Sequence, residues 1–254
     1  VSVAVSDGSA VVDAPAAAEL MTEIRAKLDG GDLAHMSRTL EAKAAWARAT
    51  LEQVEHAGAG AEVDASVLAL LRSFFPSRRR ARAMLDALGG AELARAMGGL
   101  VWGGGELAGR VGAFEATLAA FPEVTVDLTW ELLHLLAPER YWLWTRWMWN
   151  PRTETGALRL VTVDDVDLGV GDRLEVYARV GAALALVDRT ARAMRLVDDS
   201  PYGVDVFLAC VYGIYMYTVL RMRMSQEFNR IVPELPSLAR RLLGIAHLEE
   251  ELCR

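Results

Sequence analysis

Lysine is almost missing from this chain: of its 27 basic residues only Lys27 and Lys43 are lysines. Together with abundant alanine, that skew points to a GC-rich bacterial coding sequence, so arginine clusters carry less meaning here than usual. Cysteine is as scarce. Cys210 sits in an apolar run and Cys253 beside the C-terminus, which gives neither a disulfide framework nor the paired spacing of a metal site. The two thiols suit a reducing compartment.

The motifs of common chemistries are missing too. There is no G-x-S-x-G, no H-E-x-x-H and no cysteine with a histidine and acid at plausible spacing. The glycines at 103–105 are not followed by the Lys-Ser/Thr that a phosphate-cradling loop needs. No catalytic residue is therefore assigned, and no cofactor or metal is expected. No apolar run is long enough for a bilayer: the best, 206–220, has fifteen residues without a charge, where a span needs roughly 18 to 20. The first residues carry no basic start and include Asp7 and Asp13, against a signal peptide. A cytoplasmic protein without a membrane partner is the expectation.

Charge narrows the field further. The net charge of −7 disfavours general affinity for nucleic acid or anionic lipid, which both need a positive field. The balance is uneven, however: residues 1–65 carry 5 basic and 11 acidic groups, 66–163 carry 11 and 9, and 164–254 carry 11 and 14. Only the middle third is positive.

What the chain has is apolar material at helical spacing. Leu20, Ile24 and Leu28 step by four before Gly30-Gly31, and a second helix is expected over 33–54. Residues 57–66 read as a linker. Ser66 and Ser77 read as N-caps, with Gly89-Gly90 ending the helix that Ser77 begins. The stretch 123–138 starts with alternation and turns helical by Trp130. Two long helices are expected over about 172–197 and 201–231, the second capped by Ser200 with Pro201 at its first position, then a terminal helix over 237–252. Without internal repeats or βαβ alternation, the fold class is all-α: a compact multi-helix, bundle-like domain with at most one short β element near 157–163. Its parts are a flexible tail at 1–15, an N-terminal helical subdomain at 16–97, a Gly-rich joint at 98–109 and a C-terminal helical core at 110–254.

Four of the seven tryptophans crowd into 139-ERYWLWTRWMWNP-151. On a helix, Trp142 and Trp149 fall on one side and Trp144 and Trp147 nearly opposite, and a strand would divide the four as well. An element aromatic on both sides is enclosed on both sides, so this segment reads as core, with Trp149 at its end nearest solvent. On the helical projection each pair gains a guanidinium, Arg146 beside Trp142/Trp149 and Arg140 beside Trp144/Trp147. A buried arginine needs a carboxylate, either internal or brought by a ligand or partner. Arg152, in the loop NPRTETG, would stand at the mouth of such a site.

Arg78, Arg79 and Arg80 follow Ser77 directly. Basic groups at a helix start oppose the dipole, which marks either a solvated face or an anion site. Glu131 and His134 form an E-x-x-H pair, half of a carboxylate metal site, and no second half exists in the chain. The candidate ligand- or partner-binding residues are thus Arg140, Arg146, Trp149, Arg152, Arg78, Arg79 and Arg80. Three readings follow. The first is a non-catalytic interaction or regulatory protein that binds a protein partner, or a second copy of itself, through an Arg/Trp surface. The second is an enzyme or small-molecule binder with a Tyr/Trp/Arg-lined pocket for an anionic or aromatic ligand. The third is a nucleic-acid-associated protein using the basic middle third.

Overall fold

The computed structural model describes residues 11–28, 30–164, 166–169, 171–224 and 234–246. Among them the chain is all-α, with ten α-helices and no sheet. The stretch near 157–163 holds a 3-10 turn at Leu158–Leu160, and β pairing is confined to the isolated bridges Val12–Thr162 and Asn150–Thr155. A lone strand would leave its backbone groups without partners; the turn closes them locally, Leu160 N–H donating to Ala157 O and Val161 N–H to Leu158 O.

Two compact units make up the chain: residues 1–38 with 146–242, and 39–145 with 243–254. The first contains α1 (Ala14–Lys27), the opening of α2 (Gly30–Ala57), α8 (Arg173–Ala193), α9 (Gly203–Met224) and α10 (Leu235–Leu242). The Asp13 side chain accepts from Ala16 N–H at 3.0 Å and Pro15 lies in the first turn, so α1 starts inside the stretch expected to be a tail, and Val12 before it is buried. Residues 1–10 lie outside the described residues. Helix α9 packs against α1, α8 and α10. Its residues 204–211 are buried on every side, which is how an all-round apolar helix behaves. Gly213 admits α10: a Cβ there would meet Leu235 Cδ1 at 2.6 Å. Ser200 does not cap α9 in the expected register; its Oγ accepts from Tyr202 N–H at 3.3 Å, and a turn at Pro201-Tyr202 precedes the helix. The expected ends of α9 at 231 and of the last helix at 252 fall outside the described residues.

The second unit contains the rest of α2, then α3 (Ala61–Ser73), α4 (Ala81–Leu88), α5 (Gly90–Trp102), α6 (Leu107–Thr117) and α7 (Pro122–Leu136). Helix α5 touches α3, α4, α6 and α7. Helix α7 begins with Pro122, not at Trp130, and is buried on nearly every face from Val124 to Leu136. Ser66 lies inside α3, and the expected linker shrinks to Gly58–Gly60. The Gly-rich stretch 98–109 is the end of α5, a short link and the start of α6, all within this unit; the division between units falls at 38/39, 145/146 and 242/243.

Candidate functional site

Helix α7 stops because Pro138 has no N–H to continue it, and Ala137 N–H closes on Leu133 O at 2.9 Å. A turn follows, with Arg140 N–H and Tyr141 N–H both donating to Ala137 O. From Tyr141 to Thr145 the backbone is irregular, neither helix nor strand. His134 fixes this exit: its Nδ1 lies 2.7 Å from Tyr141 O, and since a carbonyl only accepts, the ring donates.

The helical projection of the tryptophans therefore does not apply. Within the second unit Trp144 packs against Trp130, ring centroids 6.0 Å apart. Within the first, Trp147 packs against Tyr212 at 6.1 Å. Trp149 is only 4% exposed, so it belongs to the core, and Trp142, half-buried, is the member nearest solvent. The arginines depart from expectation in the same way. Arg140 and Arg146 are exposed, and neither is the buried guanidinium that a helix would have made.

Around Arg140 the second unit builds a corner. The Arg140 guanidinium lies over the Tyr141 ring, 5.4 Å from its centroid. On the same tyrosine, Arg110 Nη2 donates to the hydroxyl at 2.7 Å. Arg110 comes from the first turns of α6 and reaches back to the end of α5, where Nη1 donates to Leu100 O at 2.6 Å and Val101 O at 3.1 Å. Those carbonyls lack partners within their helix and carry the negative end of its dipole, so a guanidinium is a natural cap. Trp102 is the last residue of α5, next in sequence to the Val101 carbonyl that Arg110 caps, and is 37% exposed. The corner thus offers two guanidiniums, Arg110 held by three hydrogen bonds and Arg140 exposed over the Tyr141 ring, and the exposed Trp102 ends the helix that Arg110 caps. Trp102 and Arg110 were missed from the sequence because 98–109 read as a loop, and a loop has no helix terminus to cap.

The other candidates lie elsewhere. Arg78–Arg80 precede α4 instead of opening it: they form a turn in which Arg78 N–H donates to Phe74 O and Arg80 N–H to Ser77 O. Ser77, fully buried, spends its hydroxyl on Leu71 O at 2.6 Å and caps nothing. Arg78 covers the Phe75 ring at 5.0 Å, Arg80 pairs with Glu123 at 3.0 Å, and Arg79 is exposed. Glu123 is in the first turn of α7 and Arg140 lies beyond its last, so the fifteen-residue helix, about 22 Å long, separates this turn from the corner. Arg152 belongs to the first unit, in an exposed turn that Asn150 and Thr155 close (Asn150 N–H to Thr155 O, 2.8 Å). Gly156 lets that turn return, since a Cβ there would run into the Met148 carbonyl.

Glu131 and His134 share no ligand: while His134 faces Tyr141, Glu131 faces Lys43 of α2 at 3.4 Å. Lys43 Nζ also donates to Leu243 O at 3.2 Å and lies over the Phe74 ring, and Glu131 accepts from Phe75 N–H at 3.4 Å. Burial pushes the Glu131 carboxyl up to about 7, with Asp127 adding to the rise and Lys43 and the Phe75 N–H pulling it back. Burial also draws the Lys43 amine below its ordinary value, against the pull of Glu131. With 1% and 9% of their side chains exposed, the two are closed to any substrate. The Cys210 thiol, buried, is pushed up to about 12 by burial, and Asp32 adds to that, so it is no nucleophile. Among the described residues no three His, Cys, Asp or Glu side chains gather as a metal site would require, and no helix is long and apolar enough to cross a membrane. No family model, curated protein or solved structure matches this chain.

Proposed function

We propose that the chain is a non-catalytic binding protein that engages a protein partner through the corner formed by Trp102, Arg110 and Arg140. The observation that carries this reading is the pair of guanidiniums around Tyr141, Arg110 hydrogen-bonded to its hydroxyl and Arg140 over its ring, with the exposed Trp102 ending the helix that Arg110 caps. Tryptophan, tyrosine and arginine are the residues that most often dominate binding at interfaces, and the prior hydrogen bonding of Arg110 lowers the entropy that this side chain loses on binding. The buried pair Lys43–Glu131 is closed to substrate and supplies no acid or base at the surface. Arg78–Arg80 lie a helix length from the corner, and Arg146 and Arg152 belong to the first unit.

The nucleic-acid alternative loses support on charge. The positive span 66–163 crosses the division between units, and residues 39–145 carry 10 basic and 13 acidic groups. The test is affinity capture from the source cell extract with wild type, Trp102→Ala and Arg140→Glu, each checked for an unchanged melting temperature. A protein retained by wild type and lost from both variants is the expected result. Capture unaffected by either change would refute the assignment. Loss of a nucleic acid with a steep salt dependence would move it to the third class of partner.

A further inference from the structure

A cavity of about 380 Å³ opens in the first unit between α1, the start of α2, the turn after α8 and the start of α9. Its inner wall is apolar and buried: Met21, Leu28, Val206 and Phe207. Its mouth carries Arg25 and Arg195, both exposed. The two arginines are neighbours, Arg25 Nη2 donating to the Arg195 carbonyl at 3.1 Å. Asp198 also lines the cavity, but its Oδ1 accepts from Ser200 N–H at 3.2 Å, and its charge acts on Arg192, whose guanidinium donates to the Asp198 carbonyl. Among the described residues no carboxylate pairs with Arg25 or Arg195.

The backbone adds a second observation. Arg195 has φ +54°, in the left-handed region, where it ends α8 with Leu196 N–H returning to Ala191 O at 2.8 Å. Glycine is the residue that this position ordinarily takes, so an arginine here sits in a conformation that disfavours side chains. Backbone held in a disfavoured region is a pointer to function when a site lies beside it. We infer that this cavity binds a small amphipathic carboxylate, its apolar body against Met21, Val206 and Phe207 and its carboxylate between the guanidiniums of Arg25 and Arg195. Guanidinium is suited to this role because its fork of N–H donors matches the two oxygens of a carboxylate. The volume is at the small end of the range for ligand sites, which fits a medium-length chain or a single aromatic acid. The inference is independent of the corner in the second unit.

Decanoate, below the concentration at which it self-associates, is the probe, and decanol is its uncharged equivalent. Titration calorimetry on the full chain should give saturable one-to-one binding of decanoate, at least tenfold tighter than decanol, the factor that about one charge-assisted contact supplies. The variant Arg25→Glu/Arg195→Glu alters only exposed side chains and should lose decanoate while retaining decanol. Ala34→Phe, which places a ring in the cavity from its half-exposed rim, should abolish both. Decanoate binding no tighter than decanol, no binding of either, or decanoate binding unchanged in the charge-reversed variant would each overturn the proposal. The charge reversal decides the matter even if Ala34→Phe fails to fold.

Discussion

Glu131 and Lys43 illustrate how little spacing says about a buried charge. The sequence pairs Glu131 with His134 one turn on, yet its partner lies 88 residues earlier and has no local signature. The pair costs desolvation on both sides, and its effect on stability has a definite sign. Between the ordinary carboxyl value of 4.5 and about 7, the folded chain keeps a proton on Glu131 that the unfolded chain has released. Its contribution is therefore largest in acid and declines as pH rises through that window. Urea midpoints measured from pH 5 to 7.5 should fall in wild type and fall less in Glu131→Gln; superimposable profiles would show that this carboxyl is not raised. The double change Lys43→Met/Glu131→Leu should be neutral or stabilising by up to about 3 kcal/mol, because apolar packing replaces two desolvated charges. Trp144, only 4% exposed, was legible as core from its aromatic neighbourhood, and Trp144→Ala should cost roughly 3 to 5 kcal/mol in calorimetry. Trp149 was not legible as core, because nothing local reveals that the turn at 150–156 folds back and that Ala157 and Leu158 N–H donate to the carbonyls of Trp147 and Met148.

Helices were the most readable level. Apolar residues at 3.6-residue spacing locate α1, α2 and α8 before any contact is known, since burial of one face drives them, and a continuous apolar run after Pro201 locates α9. Their ends were less readable. Ser77 has the composition of an N-cap, but a hydroxyl also donates, and a buried carbonyl at Leu71 claims it. The glycines at 98 and 99 look like breakers, yet α5 runs through them to Trp102. Tertiary packing there outweighs propensity, and the cost of a helical glycine is only about 1 kcal/mol. Where two helices touch through a glycine the consequence is testable. Gly213→Val should force the end of the Leu235 side chain aside and cost about 1 to 3 kcal/mol, read as a lowered melting temperature, whereas an unchanged value would mean that Leu235 yields without loss of packing.

At the scale of the whole molecule the all-α class was legible, and far-UV circular dichroism should be dominated by helix. The division of the chain was not legible. A domain boundary is expected in a polar or Gly-rich linker, but here it passes inside α2 and through the tryptophan segment. The candidate corner was half visible: Arg140 was singled out, while Trp102 and Arg110 needed the helix ends to be known. The division also sets an order of events during folding. Apart from 243–246, the described part of the second unit is the continuous stretch 39–145, whereas the first unit closes only when chain on both sides of that stretch meets, as where Lys27 lies over the Tyr217 ring. Loop closure becomes costlier with length, and contacts so distant in sequence form slowly. Pulse-labelled hydrogen exchange during refolding should therefore protect amides of α5 and α7 before those of α1. On the ribosome, α1 emerges before α3 to α7 and must wait for α9 while those intervening helices are made.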